Sequence, residues 1–180
     1  MKNAIPHQIA MSVVLIMIGM LFATLMLGYF VYRFTSDNWP PLGIERPSLI
    51  IPFSSTVFIL ASSFFYKKFE KTLEPKWLNY SFLLGILFLG IQLIFWYHLR
   101  DIGLYTQTGT YSSLLHALTW IHAAHVILGL MAFGWPYYYL RQEKLSKSKL
   151  EECMSIKNVG TLWHFLGVVW VVLFINLFVL

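Results

Sequence analysis

The chain has 180 residues, of which 58% are hydrophobic, 18% aromatic and only 12% charged, whereas an ordinary soluble domain runs to about 25% charged and 45–50% apolar. That balance excludes a soluble enzyme or binding domain of normal size, because five spanning segments of roughly 20 residues and their loops use nearly the whole length. The net charge of +5 does not signal a nucleic-acid groove, since the basic residues fall in the connections between apolar runs.

The expectation is an all-α fold: a single membrane domain over residues 1–180 with five transmembrane helices. The first span covers about Ile9 to Tyr32, interrupted only by Ser12 and Thr24, and ends at Arg33. No small-residue cleavage site follows it, so it reads as a retained span and not a removable signal. The linker after it carries Asp37, Trp39, Pro40, Pro41, Glu45, Arg46 and Pro47, and its prolines forbid a continuous helix.

The second span covers about Leu49 to Tyr66, with Pro52 in its first turn, where a missing N–H costs least. Ser54, Ser55, Thr56, Ala61, Ser62 and Ser63 make it small and hydroxylated, suited to close backbone approach and interhelical hydrogen bonds. Lys67, Lys68, Glu70, Lys71, Glu74, Pro75 and Lys76 read as a solvated turn. A third span covers about Leu78 to Tyr97, a fourth about Leu114 to Tyr139, and a fifth about Thr161 to Leu180.

Orientation follows from the basic residues of the two loop sets. Ten lie on one side (Lys2, Lys67, Lys68, Lys71, Lys76, Arg141, Lys144, Lys147, Lys149 and Lys157) and three on the other (Arg33, Arg46 and Arg100). This predicts a cytoplasmic N-terminus and an outer C-terminus. Aromatic residues cluster at span ends, with Trp39, Trp96 and Trp163 read as interface anchors, alongside Tyr29, Tyr32, Trp77, Tyr80, Tyr97 and Trp135 to Tyr139.

No Asp, Glu, Lys or Arg falls inside these spans, which disfavours a proton relay or transporter housed in this chain. The single cysteine, Cys153, allows no intrachain disulfide. The polar exceptions are His116, His122 and His125 on the fourth span and His164 on the fifth, with the amides Gln92 and Asn176. His122 and His125 are three apart and share a helix face that continues through Leu118 and Gly129. A buried imidazole costs several kcal/mol unless it is hydrogen-bonded or metal-bound. Two readings follow: axial ligation of a b-type haem by His122 or His125 with His164, or neutral histidines bonded to backbone carbonyls or to hydroxyls such as that of Thr119. The spans hold no acidic residue to orient a ligating ring, which favours the second, and no catalytic or metal-binding residue is assigned. Gln92 and Asn176 read as interhelical contacts.

The run Leu118-Thr119-Trp120-Ile121-His122-Ala123-Ala124-His125-Val126-Ile127-Leu128-Gly129 resembles the L-T-G-x-H-G-x-H-V-x-x-G signature of subunit III of the haem–copper terminal oxidases. The run Trp163-His164-Phe165-Leu166-Gly167-Val168-Val169-Trp170 is similar to that family's W-H-F-V-D-x-x-W. Weaker matches lie at Trp39-Pro40-Pro41-Leu42, at Pro52 with Ser54 to Thr56 and Ser62-Ser63, and at Leu89 to Trp96, which resembles G-x-Q-x-x-E-W. Departures are specific: the family's intramembrane acids fall at Ile18, Phe95 and Gly167, and two glycines of its histidine signature fall at Trp120 and Ala123.

The resemblance implies the short, five-helix bacterial form of the subunit, a multi-pass protein of the inner membrane. It implies partnership with oxidase subunits I and II, haem and copper in those partners and none in this chain, bound phospholipid, and support of dioxygen reduction without performing it. It assigns His122, His125, His164 and Gln92 to helix contacts and carries over no proton-related role, because the acids are missing. Two rivals stand beside it: a haem b electron-transfer anchor built on the histidines, and the related accessory subunit of nitric oxide reductase systems.

Overall fold

The computed structural model describes residues 4–40, 47–141 and 154–179. The described residues form helices α1 (Ala4–Thr35), α2 (Ile50–Thr72), α3 (Pro75–Asp101), α4 (Thr110–Ala132), α5 (Gly134–Arg141) and α6 (Met154–Phe174), the last running into a π-helical turn at Ile175–Val179. Five segments are long and apolar enough to cross a bilayer: Ile9–Thr35, Ile50–Thr72, Pro75–Asp101, Thr110–Arg141 and Ile156–Val179. Lys2, Pro41, Leu42, Glu45, Arg46, Lys144, Lys147, Lys149, Cys153 and Leu180 lie outside the described residues.

The helices are longer than the apolar runs alone suggest, and the clearest correction is at the end of α2. Lys67, Lys68, Glu70 and Lys71, expected in a solvated turn, continue the helix to Thr72. Long charged side chains cover apolar surface with their stems while their heads reach water, so charge alone does not end a helix at the membrane edge. Leu73 ends it: its backbone is left-handed (φ 53°), and its N–H closes on Phe69 O at 2.7 Å. Pro75 then opens α3 in the first turn, the position that tolerates it. A two-residue turn therefore folds α2 and α3 into an antiparallel hairpin.

That hairpin is the most extensive helix pair of the bundle. Besides Thr56, which meets Trp170 of α6, its buried positions are Pro52, Ser55, Ile59, Ser62, Tyr66 and Phe69 on α2, and Leu78, Ser81, Gly85, Phe88, Gln92, Phe95 and Leu99 on α3. Steps alternating between three and four residues give a seam of the kind that lets two helices interdigitate at a shallow angle. Serines at the crossing let the backbones approach: Ser62 Oγ donates to Ser81 O at 2.7 Å, and Ser81 Oγ donates to Ser62 O at 2.8 Å.

α6 lies against α2, α4 and α1, while the first span is the least buried of the five. The break between α4 and α5 has a local cause. Pro136 has no N–H to give Ala132, four residues back, so the α4 ladder ends there. At the far end, the Asn176 carbonyl accepts from Tyr29 Oη at 3.2 Å and Arg33 Nη1 at 3.5 Å, tying α1 to the end of the last span. Tyr29, expected at the headgroup level, is therefore buried.

Candidate functional site

The two histidine-bearing runs face one another across the bundle, and α6 engages α2 through a ladder of polar contacts. Trp163 Nε1 donates to Ser62 Oγ at 3.0 Å, and Trp170 Nε1 donates to Thr56 Oγ1 at 3.0 Å. The indoles are seven residues apart on α6 and the hydroxyls six apart on α2, in opposite order, as antiparallel helices require. Next to the first rung, His164 Nδ1 hydrogen-bonds Ser63 Oγ, and the imidazole stands edge-on to Tyr66. His164 Nε2 is buried and has no hydrogen-bond partner among the described residues.

Trp163, expected as an interface anchor, is instead a core residue, only 1% exposed. Its ring fills the space left by two glycines on neighbouring helices. A Cβ on Gly85 would lie 2.9 Å from Trp163 Cζ2, and one on Gly129 would lie 3.1 Å from Trp163 Cε3. The two-glycine notch and the seven-residue indole spacing are the signals that could have revealed this arrangement. Trp39 and Trp96 are half-buried: Trp39 Nε1 donates to Tyr29 Oη at 3.2 Å, and Trp96 Nε1 donates to Thr119 Oγ1 at 3.1 Å.

The histidines of α4 divide into different environments. His125, partly buried, donates from Nδ1 to Ile121 O at 2.7 Å, a backbone acceptor within its own helix. His122 is wholly buried, yet neither of its ring nitrogens has a hydrogen-bond partner among the described residues. The expectation of a polar partner for His122 is thus corrected. Its surroundings are aromatic: ring centroids lie 5.1 Å away for Trp170, 5.9 Å for Phe88 and 5.9 Å for Phe22. Phe22 and Phe88 meet the imidazole edge-to-face, and contacts of that kind partly compensate an unpaired N–H through the ring quadrupole. Three rings closed around His122 do not fit an axial haem ligand, which needs a porphyrin seated against one ring nitrogen.

Thr119, expected as a histidine partner, instead accepts from Trp96 and donates to Leu115 O at 2.9 Å, joining α3 to α4. Gln92 Nε2 donates to Ser55 Oγ at 3.1 Å, joining α3 to α2. Asn176 does not bridge helices through its side chain; Nδ2 donates to Val172 O in the preceding turn. Among the described residues, no group of three or more His, Cys, Asp or Glu is arranged to hold a metal ion. At the positions where the resembling family carries acids, Ile18 packs against the core, Phe95 is buried edge-on to Phe178, and a Cβ on Gly167 would meet Ser63 Oγ at 4.0 Å. The Trp96–Thr119 and Gln92–Ser55 bonds join one helix to another, whereas the Asn176 side chain bonds within its own.

No family model matches the chain. Curated proteins do. It is 29% identical to cytochrome c oxidase subunit 3 of Synechocystis sp. over 167 residues, covering 89% of this chain and 70% of that protein. It is 31% identical to the probable cytochrome c oxidase subunit 3 of Nocardia farcinica over 167 residues, 88% of this chain and 80% of that protein. It is 30% identical to the probable quinol oxidase subunit 3 of Staphylococcus haemolyticus over 161 residues, 87% of this chain and 78% of that protein. The fold is that of an all-helical, multi-pass membrane protein. The chain belongs to the subunit III family of the haem–copper oxidases.

Proposed function

We propose that this chain is the accessory third subunit of a bacterial terminal oxidase, seated in the plasma membrane beside subunits I and II, with its N-terminus in the cytoplasm. Haem and copper are carried by those partners, and this chain has no active site of its own. Its contribution is to hold the catalytic subunit in a stable form while electrons reach dioxygen. The observation that carries this reading is the use made of the two signature runs: Trp163, His164 and Trp170 join α6 to α2, and His122 is enclosed in the core. Ile18, Phe95 and Gly167 in place of acids leave no proton-carrying group at those depths, so the role assigned is structural.

The test is purification through an affinity tag on this chain in mild detergent. A haem-bearing large subunit and a second subunit should accompany it in equal amounts; a stable, colourless chain recovered alone from cells expressing the oxidase contradicts the reading.

A further inference from the structure

The end of α3 and the start of α4 hold two adjoining hollows. One, of about 320 Å³, is lined by Leu93, Trp96, Tyr97, Arg100, His116 and Trp120. The other, of about 230 Å³, shares Arg100, His116 and Trp120 with it and adds Tyr105 and Thr106. Leu93 is the one aliphatic side chain among these; the others are rings, a hydroxyl and a cation. Trp120 stands where the resembling signature has glycine, and its exposed indole is edge-on to Trp96 at 6.0 Å and to His116 at 5.5 Å. This wall is therefore a feature of the present sequence.

Two polar groups here are directed at something outside the chain. His116 lines both hollows although it is only 3% exposed. Its Nδ1 donates to Ser112 O at 2.9 Å, so in the neutral ring Nε2 is an acceptor, and Nε2 has no partner among the described residues. Arg100 is exposed in the last turn of α3 and makes no ion pair or hydrogen bond with the described residues. On the proposed orientation this is the outer face, where basic residues are scarce: Arg33, Arg46 and Arg100 against ten on the other side. Arg33 is already tied to Asn176 O, so Arg100 is not accounted for by the charge bias that orients the bundle.

The occupant has to supply an anion to Arg100 and an N–H or O–H donor to His116 Nε2, and to cover the exposed rings of Tyr97, Tyr105 and Trp120. A polypeptide segment meets all three needs, with a side-chain carboxylate, an amide N–H beside it and apolar side chains on either hand. Trp, Tyr and Arg around a desolvated pocket are also the residue types that dominate binding energy where proteins meet. We propose that this corner is the docking surface for an acidic segment of the haem-bearing subunit, its carboxylate accepting from the Arg100 guanidinium, an amide N–H donating to His116 Nε2, and Trp120 and Tyr97 closing over both. The proposal deepens the reading of the chain as an oxidase subunit and rests on it for the identity of the partner.

Photocrosslinking within the tagged complex tests it. A benzoylphenylalanine at Tyr97 should join, on illumination, to one segment of the haem-bearing subunit that contains an Asp or Glu, located by peptide mapping. Arg100→Glu should then weaken retention of that subunit in a salt wash by about tenfold or more, Arg100→Lys should retain it, and changing the mapped acid to Lys should restore retention to the Arg100→Glu chain. Arg100 is exposed at a helix end, so these substitutions leave the bundle intact, and the shared elution volume of the Lys and Glu variants checks this. Crosslinking to phospholipid, to a different polypeptide or to a segment without an acid overturns the proposal. So does equal retention by Arg100→Glu, or failure of the reversed pair to recover. An assembled complex indifferent to Arg100 removes the docking site alone, whereas an unaltered chain recovered without the haem-bearing subunit removes the oxidase reading.

Discussion

His122 is the residue whose environment departs furthest from its chemistry. A buried polar group without a partner costs about 1–3 kcal/mol, and an apolar replacement of similar shape removes that cost. His122→Phe is therefore expected to leave thermal stability in detergent unchanged or raised, and His122→Ala, which opens a cavity among Phe22, Phe88 and Trp170, to lower it by roughly 2 to 4 kcal/mol. A loss with His122→Phe as large as with His122→Ala would mean that the ring nitrogens matter. Glu74 gives a second residue-scale prediction outside the membrane. Hydrogen bonding to Lys76, followed by the charge of that lysine and a bond from Trp77 Nε1, holds its carboxyl below the ordinary value of 4.5. The interaction is thus fully present above pH 4.5 and lost as pH falls through the lowered folded value. A carboxyl NMR titration of Glu74 should move toward the ordinary value in Lys76→Ala. The sequence showed that polar side chains at 92, 119, 122, 125 and 164 needed explanation, but not which atom each would meet. Partner choice depends on where helices cross, and nothing local to His122 announces that three aromatic rings close around it.

At the scale of elements, small residues decide how closely α3, α4 and α6 approach. Gly85→Ala would bring a Cβ to 2.8 Å from Leu130 Cδ2 and 2.9 Å from Trp163 Cζ2, an overpacking cost of about 1–3 kcal/mol. Gly90, on the same helix, has nothing within 4 Å of the point where an alanine methyl would sit, and Gly90→Ala should be neutral or stabilising by up to about 1 kcal/mol through helix propensity. Unfolding curves of the two variants in one detergent check the contrast; similar losses would place the tight contact elsewhere. The five spans were legible because a run of some 20 apolar residues has few other uses. Their ends were less so, since Lys67 to Lys71 look like a loop and behave as a helix, and the true stop is the left-handed Leu73 ahead of Pro75. Trp163 misled for a related reason: indoles are common at headgroups, and only the glycines of two other helices reveal that this one is enclosed.

For the whole molecule, the basic residues bias one set of loops ten to three, so a reporter active only outside the cell should work when fused after the last span and fail when inserted in the Leu73–Glu74 turn. The reverse pattern would invert the bundle. On the proposed reading the signature histidines belong to a scaffold and redox chemistry belongs to the partners. Reduced-minus-oxidised spectra of the tag-purified complex, and of this chain after its release from that complex, test that division of labour without an intermediate step. Haem bands are expected in the complex, none in the released chain, and no spectral change in the His122→Phe complex. Haem that travels with the released chain and disappears in His122→Phe would contradict it.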